Sequence, residues 1–198
     1  MYWDKISSFY DLFENIYNDS VYLNTGKFVA NEINPDDRVL ECACGTGAIS
    51  VHIAPVCKSL IVTDMSVGML RQAEKKLKKF SNVKIGKADM TALKCKDNSF
   101  DKVVAGNVIH LLDNPEDVVK ELVRVCKPNG KIIIPTYFNI NKGKSSFVVK
   151  LINIMGANFK RYFDLDSYKK FFADAGYENV KFQVVEGKMP CAVAVITK

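Results

Sequence analysis

The sequence predicts a single, doubly wound α/β domain with a seven-stranded, mostly parallel sheet and helices on both faces. Short β-branched apolar runs alternate with amphipathic helical segments over residues 34–138, which is typical of a parallel sheet. Two strands close the chain with no helix between them, so they must form a hairpin and make one strand antiparallel. The size agrees, because 198 residues, 48% of them hydrophobic, suit one domain with one core.

Two helices are predicted before the first strand. Residues 3–17 place large apolar side chains at helical spacing, and a second helix covers Val21 to Glu32. Because residues 1–33 contribute no strand, their aromatic face must either pack against the rim of a ligand pocket or stay partly loose until a ligand binds. We therefore expect an N-terminal lid whose first ~20 residues close over a cofactor, with Tyr10 in contact with it. Further aromatic residues of this lid are Trp3, Phe13 and Tyr17.

The cofactor-binding core, residues 34–138, contains five predicted strands. They are Arg38–Cys42, Leu60–Thr63, Val83–Gly86, Phe100–Ala105 and Lys131–Ile134. A helix follows the first strand from Gly47 to about Val56, Ser66 caps a second helix, and Asn114-Pro115 starts a third. These helices supply crossovers of the kind that parallel strands require.

Residues 139–165 interrupt the alternation, and we expect them to form a cap over the substrate. They include an apolar, helix-like stretch from Phe147 to Met155. Residues 166–198 then provide a helix from Ser167 to Ala175, which Gly176 stops, and the C-terminal hairpin. The strands of that hairpin are Val180–Val185 and Cys191–Thr197.

Composition and charge argue against several classes of protein. No apolar stretch approaches the ~20 residues of a membrane span, and the N-terminus lacks the layout of a signal peptide, so we expect a cytoplasmic protein. Much of the net charge of +6 comes from lysines that end one predicted helix, where cations favour the helix dipole. The six cysteines form no CxxC pair and no His/Cys cluster, so we expect no metal.

Acidic residues and a glycine loop mark the ends of the first three strands. Glu41 precedes the loop that contains Gly45 and Gly47, Asp64 ends the second strand, and Asp89 follows the third. The carboxyl ends of parallel strands share one edge of the sheet, where ligands bind. Three acids beside a glycine loop describe a pocket for a nucleoside-bearing cofactor that carries positive charge. This pattern indicates S-adenosylmethionine, and therefore a methyltransferase.

The same loop argues against a dinucleotide. The dinucleotide fingerprint has a third glycine that allows close helix-to-strand packing, and Ser50 occupies that position here. Glu41 would repel a nearby pyrophosphate but suits an ammonium or sulfonium group. The 17-residue spacing from Gly47 to Asp64 suits an acceptor for ribose hydroxyls in either class. Asp89 has no standard role in the dinucleotide plan and can accept a hydrogen bond from the adenine amine.

These residues carry a family resemblance. The chain resembles the class I S-adenosylmethionine-dependent methyltransferases, which have a Rossmann-like fold, and within them the small-molecule group of the ubiquinone and menaquinone biosynthesis C-methyltransferases. The resemblance covers about residues 10–138. Its segments are Glu41–Gly47, Asp64-Met65-Ser66, Ala88-Asp89-Met90, Phe100–Ala105 and the turn Leu122–Lys131.

The resemblance implies a role for each matching residue. The loop backbone faces the methionine part of the cofactor, with Glu41 beside it, and Asn107 lies near the sulfonium. Asp64 binds the ribose hydroxyls. The family usually has glycine at position 43, and we expect the methyl group of Ala43 to be tolerated if its φ is negative. The loop residues are Ala43, Cys44, Gly45, Thr46 and Gly47. At the adenine end, Met65 packs on the ring. Asp89 accepts a hydrogen bond from the adenine amine, and the backbone N–H of Met90 recognises the ring.

His110 is the candidate general base, since it follows Asn107 by three residues and has an ordinary pKa near ~6.5. The alternative is a packed structural histidine. We expect a small, apolar or aromatic substrate, S-adenosylhomocysteine as product, and no obligate protein partner.

Three alternative functions stay open. Phospholipid head-group methylation, with peripheral membrane contact, would use the stretch Phe147–Met155 and nearby lysines. RNA methylation is disfavoured, because residues 105–108 lack the Pro-Pro-aromatic motif of amino-group nucleic-acid methylation. A non-catalytic binder is disfavoured by the retention of all three acids.

Overall fold

The computed structural model describes residues 2–138 and 160–198, and for residues 2, 5, 6 and 8–18 it describes the helical backbone alone. Within these ranges the strands are β1 (Arg38–Cys42), β2 (Ser59–Asp64), β3 (Val83–Lys87), β4 (Phe100–Ala105), β5 (Cys126–Tyr137), β6 (Val180–Val185) and β7 (Cys191–Thr197). They form one sheet in the order β3-β2-β1-β4-β5-β7-β6. Strands β1 to β5 pair in parallel, and β7 runs antiparallel to both β5 and β6. The predicted fold class is confirmed.

Helices cover both faces of this sheet. The α-helices of the described ranges are α1 (Tyr2–Asn31), α2 (Ser50–Ile53), α3 (Val67–Leu77), α4 (Pro115–Val125) and α5 (Leu165–Asp174). Adjacent residues of the interior strand β1 point to opposite faces. Val39 packs into the cluster that holds side chains of α1, α2 and α3, and Leu40 packs into the cluster of α4 and α5. Both side chains are buried, as expected for a strand that is covered on both faces.

The N-terminal segment is one continuous helix, so the prediction of two helices was wrong. Residues 18–20 contain neither proline nor glycine, and nothing else in the sequence there breaks a helix. From Val21 onward the helix belongs to the core, because Val21, Thr25 and Val29 are buried. Residues 21–33 therefore cannot move as part of a lid, and any lid is limited to the first ~20 residues.

Local signals in the sequence placed several helix ends correctly. The Ser66 hydroxyl accepts from the Met69 N–H (3.1 Å) and caps α3, and Pro115 opens α4. Asp164 and Ser167 form a capping box at the start of α5, and Gly176 ends that region with a φ of +82°. The helix expected from Gly47 to Val56 is shorter, with turns before α2 and a 3₁₀ turn after it.

The predicted substrate cap lies mostly outside the described residues, which exclude 139–159. Its apolar stretch, Phe147 to Met155, falls entirely within that gap. Among the helices that the structure describes, none combines the length and apolar character needed to cross a membrane.

Candidate functional site

A cavity of about 260 Å³ opens at the carboxyl edge of the sheet, between the ends of β1 and β4. The strand order reverses at this point, because β2 and β3 lie to one side of β1 and β4 to β7 to the other. Such a switch point is the usual ligand site of an open α/β sheet. The lining residues are Trp3, Tyr22, Glu41, Ala43, Cys44, Gly45, Ile49, Asp64, Met65, Met69, Ala88, Asp89, Met90, Thr91, Gly106, Asn107, Val108, Leu111 and Leu112.

The glycine loop is held in a left-handed conformation at three places. Ala43, Gly45 and Gly47 have φ angles of +51°, +55° and +80°. A side chain at Gly47 would also meet the Cα of Ala73 at 3.2 Å, so this glycine allows α3 to approach the loop. The resulting turn brings the backbone of Ala43, Cys44 and Gly45 to the cavity wall.

Asp64 ties the loop to the end of β2. Its Oδ2 accepts from the Gly45 N–H (2.9 Å), and its Oδ1 accepts from the Ser66 N–H (2.8 Å). Burial raises the pKa of Asp64 above its ordinary value, and these backbone donors oppose the shift. The carboxylate is thus fixed in orientation at the cavity wall, and each oxygen keeps a second lone pair for a ligand hydroxyl.

Glu41 is a buried acid at the floor of the cavity. The residue is only 2% exposed, and its Oε2 has no hydrogen-bond partner in the described structure. Burial, with a smaller contribution from the nearby carboxylate of Asp64, raises the pKa of Glu41 to about 8. The Ser50 hydroxyl counters part of this effect, although it lies outside hydrogen-bond geometry. Such a group is mostly protonated at pH 7 in the empty site, and a cation bound beside it favours the ionised carboxylate.

Asp89 lines the opposite end of the cavity and begins a turn. Its Oδ1 accepts from both the N–H (2.9 Å) and the hydroxyl (2.7 Å) of Thr91, and these bonds lower the pKa of Asp89. Both interactions go to one oxygen, so the turn is compatible with a ligand contact at Oδ2. The neighbouring side chain of Met90 is buried against the wall.

Asn107 follows β4 in the left-handed region, with a φ of +53°. Its N–H donates to the Pro135 carbonyl (2.8 Å), which fixes the backbone, and its side-chain Oδ1 is buried without a hydrogen-bond partner. A buried carbonyl oxygen without a donor costs stability, roughly 1–3 kcal/mol. Like the Oε2 of Glu41, this oxygen fits a site whose donor arrives with the ligand.

Four predicted site residues do not line the cavity as described. Thr46 is buried and accepts from the Lys76 ammonium (3.0 Å), and Gly47 faces α3, so both shape the loop from behind. Tyr10 lies in α1, but its side chain is outside the described residues. The other predicted cofactor-binding residues do line it, and their contact with a cofactor stays a prediction.

His110 is the fourth of these residues, and its position does not support the predicted role as general base. It sits in a 3₁₀ turn (Ile109–Leu111), is only 4% exposed and is not part of the cavity wall. Burial lowers the pKa of His110 to about 4. Its carbonyl accepts from the backbone N–H groups of Lys160 and Arg161 (3.0 and 3.2 Å), which joins the turn to the segment before α5. The structural interpretation is therefore the better one.

The sequence pattern did not single out several wall residues. Tyr22, from the anchored half of α1, is one of them, and it lines the cavity together with Trp3, which was expected in the lid. The apolar residues Val108, Leu111 and Leu112, which follow β4, form the wall on the far side. No local motif marks these positions, because each reaches the site through packing between distant elements.

The methyl group of Ala43 was expected to be tolerated on the condition that φ is negative, and the φ of +51° shows that this condition is not met. A left-handed conformation costs a residue with a Cβ roughly 1–2 kcal/mol. We expect Ala43→Gly to raise the free energy of unfolding by about 0.5–1 kcal/mol, since the entropy of glycine in the unfolded chain offsets part of the relief. Denaturant titration would measure the change, with Ala73→Gly in α3 as the control that should destabilise. If Ala43→Gly were less stable than the wild type, the inference that Ala43 is strained would be wrong.

The charges around the cavity all have one sign among the described residues. Glu41, Asp64 and Asp89 contribute carboxylates, and no lysine, arginine or histidine lines the wall. Apolar side chains provide much of the remaining surface. The arrangement can thus bind a cation through its acids, order ligand hydroxyls at Asp64, and receive an apolar group between the aromatic and aliphatic walls.

Comparison with known proteins agrees with this geometry. The profile of a family described as a methyltransferase domain matches residues 40–134. A demethylmenaquinone methyltransferase from Renibacterium salmoninarum is 24% identical over 93% of this chain and 86% of its own length. A ubiquinone/menaquinone biosynthesis C-methyltransferase from Rickettsia bellii is 26% identical with the same coverage. Among solved structures, an S-adenosylmethionine-dependent methyltransferase from Thermotoga maritima superposes with a TM-score of 0.72, at 22% identity, over 100% of this chain and 98% of its own.

Proposed function

Because the chain is a class I S-adenosylmethionine-dependent methyltransferase, similar to the ubiquinone and menaquinone group, we propose that it methylates a small apolar or aromatic molecule in the cavity at the carboxyl edge of the sheet. When bound, S-adenosylmethionine supplies a methyl group on positively charged sulfur. The observation that carries the proposal is that three acidic side chains line one cavity, without a basic side chain among the described lining residues. That lining attracts a cation and repels phosphate-rich ligands.

The residues present fit this cofactor along the whole cavity. Two buried oxygens, Oε2 of Glu41 and Oδ1 of Asn107, lack donors, and the methionine end of the cofactor carries an ammonium that donates. Asp64 holds its carboxylate ready for the ribose hydroxyls. Asp89 and Met65 then accommodate the adenine. These roles are the ones that the family resemblance implies, and the chemistry of each side chain and its place in the cavity support them.

The protein's contribution to methyl transfer is alignment. An in-line displacement needs the nucleophile, the methyl carbon and the sulfur on one axis, and rigid walls supply this. Because His110 is buried away from the cavity, the described wall offers no imidazole as base. The substrates that need no such base are those whose nucleophilic atom is already electron-rich, such as a phenolate oxygen or a ring carbon that the phenolate activates.

The apolar wall supports an aromatic substrate. Trp3 and Tyr22 of α1 line the cavity, as do Val108, Leu111 and Leu112, which follow β4. A flat ring between them gains from stacking and from burial of apolar surface, at roughly 25 cal/mol per Å². The relatives from Renibacterium and Rickettsia are named for the methylation of menaquinone and ubiquinone precursors, which are aromatic rings with apolar tails. We therefore place quinone-type rings first among the candidate substrates.

A substrate screen tests this proposal. Transfer of labelled methyl groups from S-adenosylmethionine would be measured with quinone precursors, simple phenols, thiols and amines, and in parallel with phosphatidylethanolamine vesicles and with RNA. We expect the quinone precursors and phenols to be methylated at least tenfold faster than the vesicles and the RNA.

The matched control for this screen is Asp64→Ala, which should lose activity with every true substrate. Methylation of RNA alone, or of the vesicles alone, would overturn the proposal in favour of the corresponding alternative. Binding of the cofactor without transfer to any acceptor would favour a non-catalytic binder.

A further inference from the structure

The first turn of α1 is attached to the start of α3 by one side chain. Asp4 Oδ1 accepts from the Ser66 hydroxyl (2.7 Å) and from the Gly68 N–H (2.8 Å), across 62 and 64 residues of sequence. The free N–H groups of a helix start are natural donors to a carboxylate. Helix α3 is thus capped twice, by its own Ser66 and by an acid from the N-terminal helix.

Gly68 shows that the two helices are built to approach closely here. A Cβ at this position would lie 2.8 Å from the Cα of Asp4 and 2.9 Å from its carbonyl oxygen. Glycine costs a helix about 1 kcal/mol relative to alanine, so a glycine within α3 needs a compensating reason. The contact with Asp4 supplies that reason, and it is independent of the hydrogen bonds themselves.

The attachment point lies directly beside the cavity. Ser66 is two residues beyond Asp64 and follows Met65, and both of these residues line the wall. On the other partner, Trp3 precedes Asp4 and lines the same cavity. The hydrogen bonds of Asp4 therefore join two parts of the cavity lining, Trp3 in α1 and the end of β2 at Asp64 and Met65.

The contact is ionic in character at every working pH. The Ser66 hydroxyl and then the Gly68 N–H hold the pKa of Asp4 far below its ordinary range. A charged acceptor makes hydrogen bonds about twice as strong as a neutral one. The contact between Asp4 and the start of α3 is thus not switched on or off by titration of Asp4.

We propose that Asp4 is a positioning residue that holds Trp3 over the cofactor end of the cavity, so that release of S-adenosylhomocysteine requires the Asp4 contacts with Ser66 and Gly68 to break. This inference rests on the cofactor site argued above but not on the identity of the methyl acceptor. It assigns the first turn of α1 a defined partner, in place of a general aromatic lid.

Tryptophan fluorescence provides a direct test, because Trp3 is the only tryptophan in the sequence. We expect S-adenosylhomocysteine to change the emission of Trp3 in the wild type, and Asp4→Ala to remove most of that change. We also expect Asp4→Ala to release S-adenosylhomocysteine at least tenfold faster in a stopped-flow displacement. Asp4→Asn keeps an acceptor oxygen and should recover part of the effect.

Two further variants separate positioning from stability. Gly68→Ala should raise the helix propensity of α3, yet by the clash with Asp4 it should speed release as Asp4→Ala does. Asp19→Ala changes an exposed acid on the same helix and should leave both readouts unchanged. Slow, wild-type release from Asp4→Ala or from Gly68→Ala would overturn the proposal.

A ligand-free measurement keeps this test distinct from that of the cofactor site. Amide hydrogen exchange at Gly68 should accelerate in Asp4→Ala without any ligand, because its N–H loses its acceptor. Faster exchange together with no binding of S-adenosylhomocysteine to the wild type would place the failure in the cofactor assignment and would overturn the role in release as well. Unchanged exchange would refute the attachment itself.

Discussion

Glu41→Gln is expected to weaken binding of S-adenosylmethionine by about 2–4 kcal/mol, or roughly 30- to 1000-fold, because it removes a buried negative charge facing a cation. The same change should stabilise the empty protein. The folded pKa of Glu41, about 8, exceeds the unfolded value of 4.5, so the folded state binds more protons between these values. Stability of the wild type therefore falls as pH rises from about 4.5 to 8, and the glutamine variant lacks this loss.

Cofactor affinity should show the opposite slope with pH. At pH 6 the buried acid must lose a proton before it can pair with the cation, whereas near pH 8 much of that cost is gone. We expect affinity of the wild type, relative to Glu41→Gln, to rise by up to tenfold per pH unit between 6 and 8. The ratio of the two proteins' affinities is unaffected by titration of the cofactor's own amine, because that titration affects both proteins equally.

Calorimetric titration at pH 6, 7 and 8, with thermal unfolding of the empty proteins at the same pH values, would measure both effects. Glu74→Gln makes the same chemical change at an exposed position of α3 and should alter neither quantity. Equal affinity of Glu41→Gln and the wild type would show that the carboxylate has no role in binding.

Asp64→Ala is expected to weaken cofactor binding by about 1.5–3 kcal/mol, the range for hydrogen bonds to a charged group. Two losses contribute. The ribose hydroxyls lose their acceptor, and the N–H groups of Gly45 and Ser66 lose the carboxylate that holds the glycine loop against β2. Asp64→Asn retains one acceptor oxygen of similar shape and should lie between the wild type and the alanine variant.

Calorimetry with S-adenosylhomocysteine would rank the three proteins, and Asp117→Ala, an exposed acid of α4, serves as the control. Affinity that follows the order wild type, Asn, Ala supports the ribose assignment. Unchanged affinity in Asp64→Ala would reduce Asp64 to a structural residue that orders the loop and the start of α3.

The parts of this fold that could be predicted are those with local causes. Ser66 and Pro115 marked helix starts because a cap or a missing N–H acts within one turn. The acids Glu41, Asp64 and Asp89 came together because parallel strands end on the same edge, a rule that needs only the strand assignments. Hydrophobic periodicity and the residues that mark the ends of helices and strands were sufficient for both predictions.

The features that escaped prediction depend on long-range packing. The burial of His110 depends on elements that are distant in sequence, so spacing from Asn107 could not reveal it. The left-handed φ of Ala43 follows from the turn between β1 and α2, in a residue type that normally avoids it. Trp3 was expected in the lid, but the contact of its neighbour Asp4 with a residue 62 positions away could not be predicted. The continuity of α1 was missed for a different reason, because a polar segment is a weak signal for a helix end.

The continuity of α1 determines how the cavity can open. Helix α1 is about 45 Å long at 1.5 Å per residue, and Gly26 packs its later half directly on the ring of His52. A lid carried on a loop swings about a few soft dihedral angles, but the described backbone has no such joint between the first turn and the anchored half. Uncovering the cavity therefore means fraying or bending a helix end, with loss of backbone hydrogen bonds. Cofactor exchange then becomes a helix–coil event, whose rate would respond to temperature and to helix-promoting solvents such as trifluoroethanol in the way that the ends of isolated helices do.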